Sequence, residues 1–212
     1  MVSSSASATT VYSSPSSFTA ATTNPTNIGF NGLLPPQTLF AGYSSVTVSG
    51  IVFSTPTAGT NVNVTTANYY GAGYTYPADF IVNSYNPLNA AGNNQLNITF
   101  STPLMAFGIY YGSMAGGHTG TFTLPDTTSY QDTSVPGLGV LAFVGFVSST
   151  PITSVSFATA GDSWIVDSLV RATPANIVTT PEPASAALVF SAAASLLCGI
   201  ALQRRKRRSR RS

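Results

Sequence analysis

The side chains of this sequence that could do chemistry are five aspartates, one histidine and a cluster of tyrosines. The aspartates of the body are Asp79, Asp126, Asp132, Asp162 and Asp167. Glycoside hydrolysis by the common route needs a protonated acid and a second carboxylate flanking one bond. Asp162 and Asp167 are separated by an odd number of positions, so on one regular strand they face opposite sides and make a poor dyad. Asp126 follows Pro125 and Asp162 follows Gly161, where aspartate ordinarily shapes turns. His118 is the single histidine, whereas a zinc site takes three or four nitrogen or sulfur ligands. A Ser-His-Asp triad would need a nucleophile elbow, which this sequence lacks. These residues predict a body without catalysis and without a cofactor. Calcium is the one metal left to consider, with Asp162 and Asp167 as its only named candidates and no EF-hand loop to support it.

Asn68-Tyr69-Tyr70-Gly71-Ala72-Gly73-Tyr74-Thr75-Tyr76-Pro77 carries the most informative spacing in the body. Tyrosines on a glycine-rich loop suit a sugar, because a ring face packs on C–H groups while the hydroxyl bonds the rim. Tyr69, Tyr70, Tyr74 and Tyr76 are therefore candidate glycan-binding residues. The competing reading is that these rings cap one end of the fold or line a strand. Gly137-Leu138-Gly139-Val140-Leu141-Ala142 fits a dinucleotide fingerprint only in letters, since Pro136 precedes it and a β-type run follows. Trp164, alternating with Val166, reads as core.

The elements that must position these groups are strands. Val62 and Val64 alternate with Asn61, Asn63 and Thr65; Leu96, Ile98 and Phe100 with Asn97 and Thr99; Phe122 and Leu124 with Thr121 and Thr123. Period two with Gly, Pro and Asn at the joins predicts half-buried strands. Val140 to Val147 is apolar on both faces and predicts a central strand covered on both sides. Further strands are expected near Val46 to Phe53, Leu104 to Tyr111, Thr153 to Ala158 and Ser163 to Arg171. No helical periodicity precedes residue 184. The expected fold is all-β, an antiparallel sandwich of jelly-roll type, followed by one C-terminal transmembrane helix.

Charge is scarce and segregated. Of 212 residues, eight are Lys or Arg and six are Asp or Glu, and seven of the eight cations fall in the last nine residues. Residues 1–183 carry one arginine against six acids, which argues against a nucleic-acid partner. Residues 1–26 are rich in Ser, Thr and Ala with few large apolar side chains, and predict a flexible leader. Cys198 is the single cysteine, so no disulfide framework is available. Ala184 to Leu202 is uncharged, and as a helix it would span roughly 28 Å, the thickness of a hydrocarbon core. Arg204, Arg205, Lys206, Arg207, Arg208, Arg210 and Arg211 behind it resist translocation and predict a cytoplasmic C-terminus.

Pro181-Glu182-Pro183, the apolar run and the basic cluster together resemble a PEP-CTERM sorting signal, the tripartite C-terminal tag of bacterial surface proteins. The same signature is also described as an ice-binding protein C-terminal domain. The resemblance covers the last 32 residues and implies an exosortase as partner, with processing near the motif. Two pieces, Phe100 to Gly112 and Phe143 to Ala172, are similar to the β-rich bodies found ahead of this tag. The expected organisation is a leader (1–26), a β-sandwich (27–172), a linker (173–180) and the signal (181–212), with motif 181–183, helix 184–202 and basic tail 203–212. An export signal is expected upstream of Met1, because no cationic and apolar leader follows it.

These readings place the body outside the inner membrane, bound for the cell surface or extracellular matrix. The leading expectation is a non-catalytic envelope protein, anchored and then processed. The alternatives are a carbohydrate-binding module that uses the Tyr69 to Tyr76 loop and meets extracellular polysaccharide, and an ice-binding protein, for which Thr121 and Thr123 are a single pair without a ladder.

Overall fold

The computed structural model describes residues 9–56, 61–83 and 94–175. The sorting motif, the transmembrane run and the basic tail lie outside them. Among the described residues no helix is long and apolar enough to cross a membrane. The elements in chain order are β1 (Thr9–Tyr12), α1 (Pro15–Ala20), β2 (Thr22–Gly29), β3 (Phe40–Tyr43), β4 (Ser45–Val48), β5 (Ile51–Ser54), β6 (Val62–Thr65), β7 (Phe80–Asn83), β8 (Asn94–Ser113), β9 (His118–Thr123), β10 (Ser129–Val135), β11 (Ala142–Thr159) and β12 (Trp164–Pro174). All the strand pairings are antiparallel.

Two long strands, β8 and β11, build both layers of the sandwich. Their register breaks between Val147 and Ile152, and again between Ile152 and Ser154, with Ile152 opposite Leu104. Pro103 and Pro151 immediately precede those two partners. Proline donates no ladder hydrogen bond, so the pair bends here and passes from one sheet into the other. The first half of β8 and the second half of β11 form a sheet in the order β4-β5-β8-β11-β9-β10. Their other halves form a second sheet, β1-β11-β8-β12-β7-β6-β3, in which β2 also pairs with β12. Leu96 to Phe100 and Leu104 to Tyr111, expected as two strands, are therefore one bent strand; so are the two runs joined in β11.

The inner faces meet in an aromatic core. Tyr111 of the second sheet lies 4.8 Å from Phe122 and 5.4 Å from Phe157 of the first, centroid to centroid, both edge-on. Phe122 and Phe157 stack at 4.2 Å. Phe107 stacks on Phe146 at 5.1 Å and meets Phe100 at 5.3 Å. The Tyr111 hydroxyl donates to Asp132 Oδ2 across the layers at 2.8 Å. Burial, with the Asp132 contact second, holds that phenol far above its ordinary pKa. Trp164 is fully buried, as the alternation with Val166 implies.

Four further expectations change. Residues 9–26 form no flexible leader: they are β1, α1 and the start of β2, and the ordered domain reaches back to Thr9 at least. Ser14 caps α1 by accepting from Ser17 N at 3.3 Å, and Pro15 stands where its missing N–H costs nothing. Phe18 then drops onto the outer face of the second sheet over Gly145, where any Cβ would collide with its ring, and meets Phe143 at 5.6 Å. A single large ring on a polar segment thus supplies what composition alone hides. Burial of Phe143, Val144 and Phe146 follows, so β11 is covered on both sides from Ala142 to Ser148, while Val140 lies outside the strand and is exposed.

Val46 to Phe53, expected as one strand, is the β4-β5 hairpin. Ser49 and Gly50 both take positive φ, 50° and 78°, as a two-residue hairpin turn of type I′ requires. β6, paired with β3 on one edge and β7 on the other, is buried on both faces rather than one, Asn63 and Thr65 included.

Candidate functional site

The loop between β6 and β7 holds the predicted tyrosines. Its backbone reverses in short turns: Tyr69 N donates to Thr66 O, Gly71 N to Asn68 O and Tyr74 N to Gly71 O, at 2.9 to 3.1 Å. Gly71 and Gly73 take φ of 85° and 91°, a region that side chains strain to reach, and both face open space. Tyr76 N closes the excursion on Ala67 O at 2.8 Å, and Thr66 N ties its start to Leu39 O at 3.0 Å.

The structure divides the four tyrosines. Tyr69 and Tyr70 are exposed at 42% and 37%, Tyr74 is half-buried and Tyr76 is buried at 2%. Tyr76 is accordingly no glycan-binding residue. Its ring packs on Phe80 at 4.5 Å and its hydroxyl donates to Ser113 O at 3.2 Å. Burial pushes its pKa up to about 12 against an opposing bond from the Gly139 amide, so it belongs to the wall behind the loop.

Phe40 joins the exposed pair, and sequence reasoning missed it. Its ring stacks on Tyr69 at 5.1 Å and 24°, and Tyr69 stands edge-on to Tyr70 at 4.9 Å and 81°. Tyr70 is backed by Phe80 at 6.3 Å, and burial, then the neighbouring Tyr69, raises its pKa. No local pattern signals Phe40; only the pairing of β3 with β6, which sets Phe40 opposite Thr65, brings it beside the loop.

Among the described residues the other exposed large apolar side chains are Leu39, Leu138 and Val140. Leu39 precedes Phe40, and Leu138 and Val140 flank Gly139, which lies against the Thr75 carbonyl so closely that no Cβ would fit. From Thr66 to Ala78 the loop carries no charged side chain. The site is thus a neutral patch of three touching rings, two of which carry phenol hydroxyls. It can pack on C–H faces and trade hydrogen bonds, and it offers no nucleophile, acid or cation.

The acids serve the fold. Asp162 accepts from Ala115 N and Ser163 N at 2.7 Å each, and Asp167 accepts from Ala78 N at 3.2 Å. They bind different backbone segments, and among the described residues no three acidic, histidine or cysteine side chains cluster as a metal site. Burial raises the pKa of Asp167. Asp126 accepts from Thr128 N and Asp132 from Ser134 N, both at 2.9 Å, as turn-forming aspartates do. His118 opens β9 opposite Val135. Thr121 has Ala158 and Gln131 as strand neighbours, and Thr123 has Ser156 and Ser129, so no threonine ladder runs across this sheet.

No protein-family profile matches the chain, and no curated protein does. Among solved structures it is similar to a family 29 carbohydrate-binding module in complex with mannohexaose, at 10% identity and a TM-score of 0.40 over 71% of this chain and 92% of that one. The family 6 module of a Cellvibrio mixtus lichenase, in complex with cellotriose, gives 16% identity and a TM-score of 0.26 over 64% and 99%. The C-terminal family 6 module of a laminarinase from Zobellia galactanivorans gives 9% and 0.28 over 71% and 100%. At these identities and scores the likeness says nothing of what this chain binds.

Proposed function

We propose that the β-sandwich is a non-catalytic carbohydrate-binding body of an exported envelope protein, and that it holds glycan on Phe40, Tyr69 and Tyr70. The observation that carries the reading is the placement of exposed rings. Among the described residues every other phenylalanine and the tryptophan are buried, whereas Phe40, Tyr69 and Tyr70 stand more than a third exposed and in contact with one another. Exposed contiguous apolar surface on an otherwise polar body marks a place where something docks. Rings with phenol hydroxyls and no charge nearby match the C–H faces and hydroxyl rims of sugars better than they match ions or nucleic acid.

The last 32 residues are read as the address for this body: a helix from Ala184 to Leu202 held by the basic cluster, with Pro181-Glu182-Pro183 as the motif an exosortase would recognise. Anchoring at the membrane would hold the sandwich where extracellular polysaccharide lies.

A glycan array probed with the full chain and with its Tyr69→Ala variant tests the binding. Signal on polysaccharide spots that falls at least tenfold in the variant is expected. An array without signal above background removes the reading and leaves a passive envelope role. For the address, labelling of intact cells with an impermeant reagent should reach the sandwich, and an intact mass lacking the C-terminal segment should accompany it; a body protected from the label overturns the placement.

A further inference from the structure

We infer that the Phe40, Tyr69 and Tyr70 site takes a single, soluble chain of neutral sugar units and rejects the flat face of a crystalline polysaccharide. The inference rests on the glycan reading above and names its ligand class. Its first support is ring geometry. A crystalline face is planar, so rings that bind it must lie side by side in one plane, each giving a whole face. Here Phe40 and Tyr69 are stacked at 24° with centroids 5.1 Å apart, so each partly covers one face of the other. Tyr69 and Tyr70 stand at 81° with centroids 4.9 Å apart, and Phe80 sits behind Tyr70. Two perpendicular rings make a corner. A flat lattice can touch only one wall of it, whereas one pyranose, with a C–H face and an edge roughly at right angles, can meet both.

The second support is charge. Thr66 to Ala78 carries no charged side chain, and the first one beyond it is Asp79. Arg171, the one cation among the described residues, lines a small cavity with Ser49 and Gly50 at the β4-β5 turn. A uronic acid or sulfated chain would lose hydration at the rings without a cation to replace it. Neutral units lose nothing of that kind.

The test uses the full chain in a detergent without a sugar headgroup. Its migration is followed through native gels containing soluble galactomannan, mixed-linkage glucan or xylan, and through gels containing alginate or polygalacturonate. Co-sedimentation with microcrystalline cellulose and with chitin is measured in parallel. Retardation by at least one neutral soluble polymer, displaced by its free hexasaccharide, with no co-sedimentation, is the expected result. Tyr70→Ala, which leaves a stack without a corner, should weaken that binding about tenfold, equivalent to about 1.4 kcal/mol, while Tyr70→Phe retains it. Co-sedimentation with the crystalline solids, or preference for the anionic gels, overturns the inference and leaves glycan binding standing. Failure to bind any of these polymers overturns both.

Discussion

Two aromatic clusters in this molecule use the same contacts to opposite ends. Between the sheets, Phe122 and Phe157 stack at 4.2 Å with Tyr111 edge-on to both. At the loop, Phe40 stacks on Tyr69 with Tyr70 edge-on to it. Stack plus edge is common to both, and ring geometry alone does not separate them. Exposure does: the inner rings are fully buried and the outer ones more than a third exposed. Burial turns ring contact into fold stability, and exposure leaves the same contact free for a ligand.

The sharpest way to break this comparison is to truncate one ring in each cluster. Phe157→Ala empties a buried site between the sheets and should cost about 3–5 kcal/mol, read as a lower denaturant midpoint. If the folded fraction of that variant also lost glycan affinity, the two clusters would not be independent. Tyr111→Phe is the next step down. It keeps the ring and removes only the hydroxyl that reaches Asp132 from the other sheet, at about 1–3 kcal/mol for a hydrogen bond to a charged acceptor. A loss near zero would mean that water replaces the bond and that the layers are held by ring packing alone.

Tyr69→Ala inverts the ranking. Its ring contacts with Phe40 and Tyr70 are worth about 0.5–1.5 kcal/mol each when buried and less at the surface, so the denaturant midpoint should fall less than in Phe157→Ala while glycan affinity falls at least tenfold. A variant as destabilised as Phe157→Ala would place Tyr69 in the core and sink the site.

The same contrast explains what was legible in the sequence. Strands over Leu96 to Phe100 and Phe122 to Leu124 follow from period two, because one face of each is wet. α1 did not follow, since its only apolar anchor is Phe18 and its partners, Gly108 and Gly145, are about a hundred residues away. The bends of β8 and β11 were marked by Pro103 and Pro151, but two prolines read as two strand ends until their pairing is known. Tyr69 and Tyr70 were legible as a pair on a glycine-rich loop. Tyr76 was not separable from them, because burial against Phe80 and Ser113 is set by β7 and β8. Phe40 was invisible for the same reason, its place being fixed by the β3-β6 register.

Asp167 joins the two regions and gives the smallest effect. It sits on β12, and its carboxylate accepts from Ala78 N, at the end of the tyrosine loop. Burial raises its folded-state pKa above the ordinary value near about 4, and the Asp79 charge adds to this, against the bonds from Ala78 and Ser168. A raised folded pKa means that the folded state holds the proton more tightly than the unfolded one. The stability that this contributes is fully present below the ordinary value and is lost as pH rises through the raised one. Denaturant midpoints of the unaltered chain should therefore decline across that window, and Asp167→Asn, which keeps an acceptor for Ala78 but cannot ionise, should remove that part of the decline. Glycan affinity should stay level over the same range, because residues 66–78 carry no carboxyl or imidazole group. A parallel fall in affinity would show that the tether at Ala78 sets the corner of rings, and that core and surface are coupled through this carboxylate.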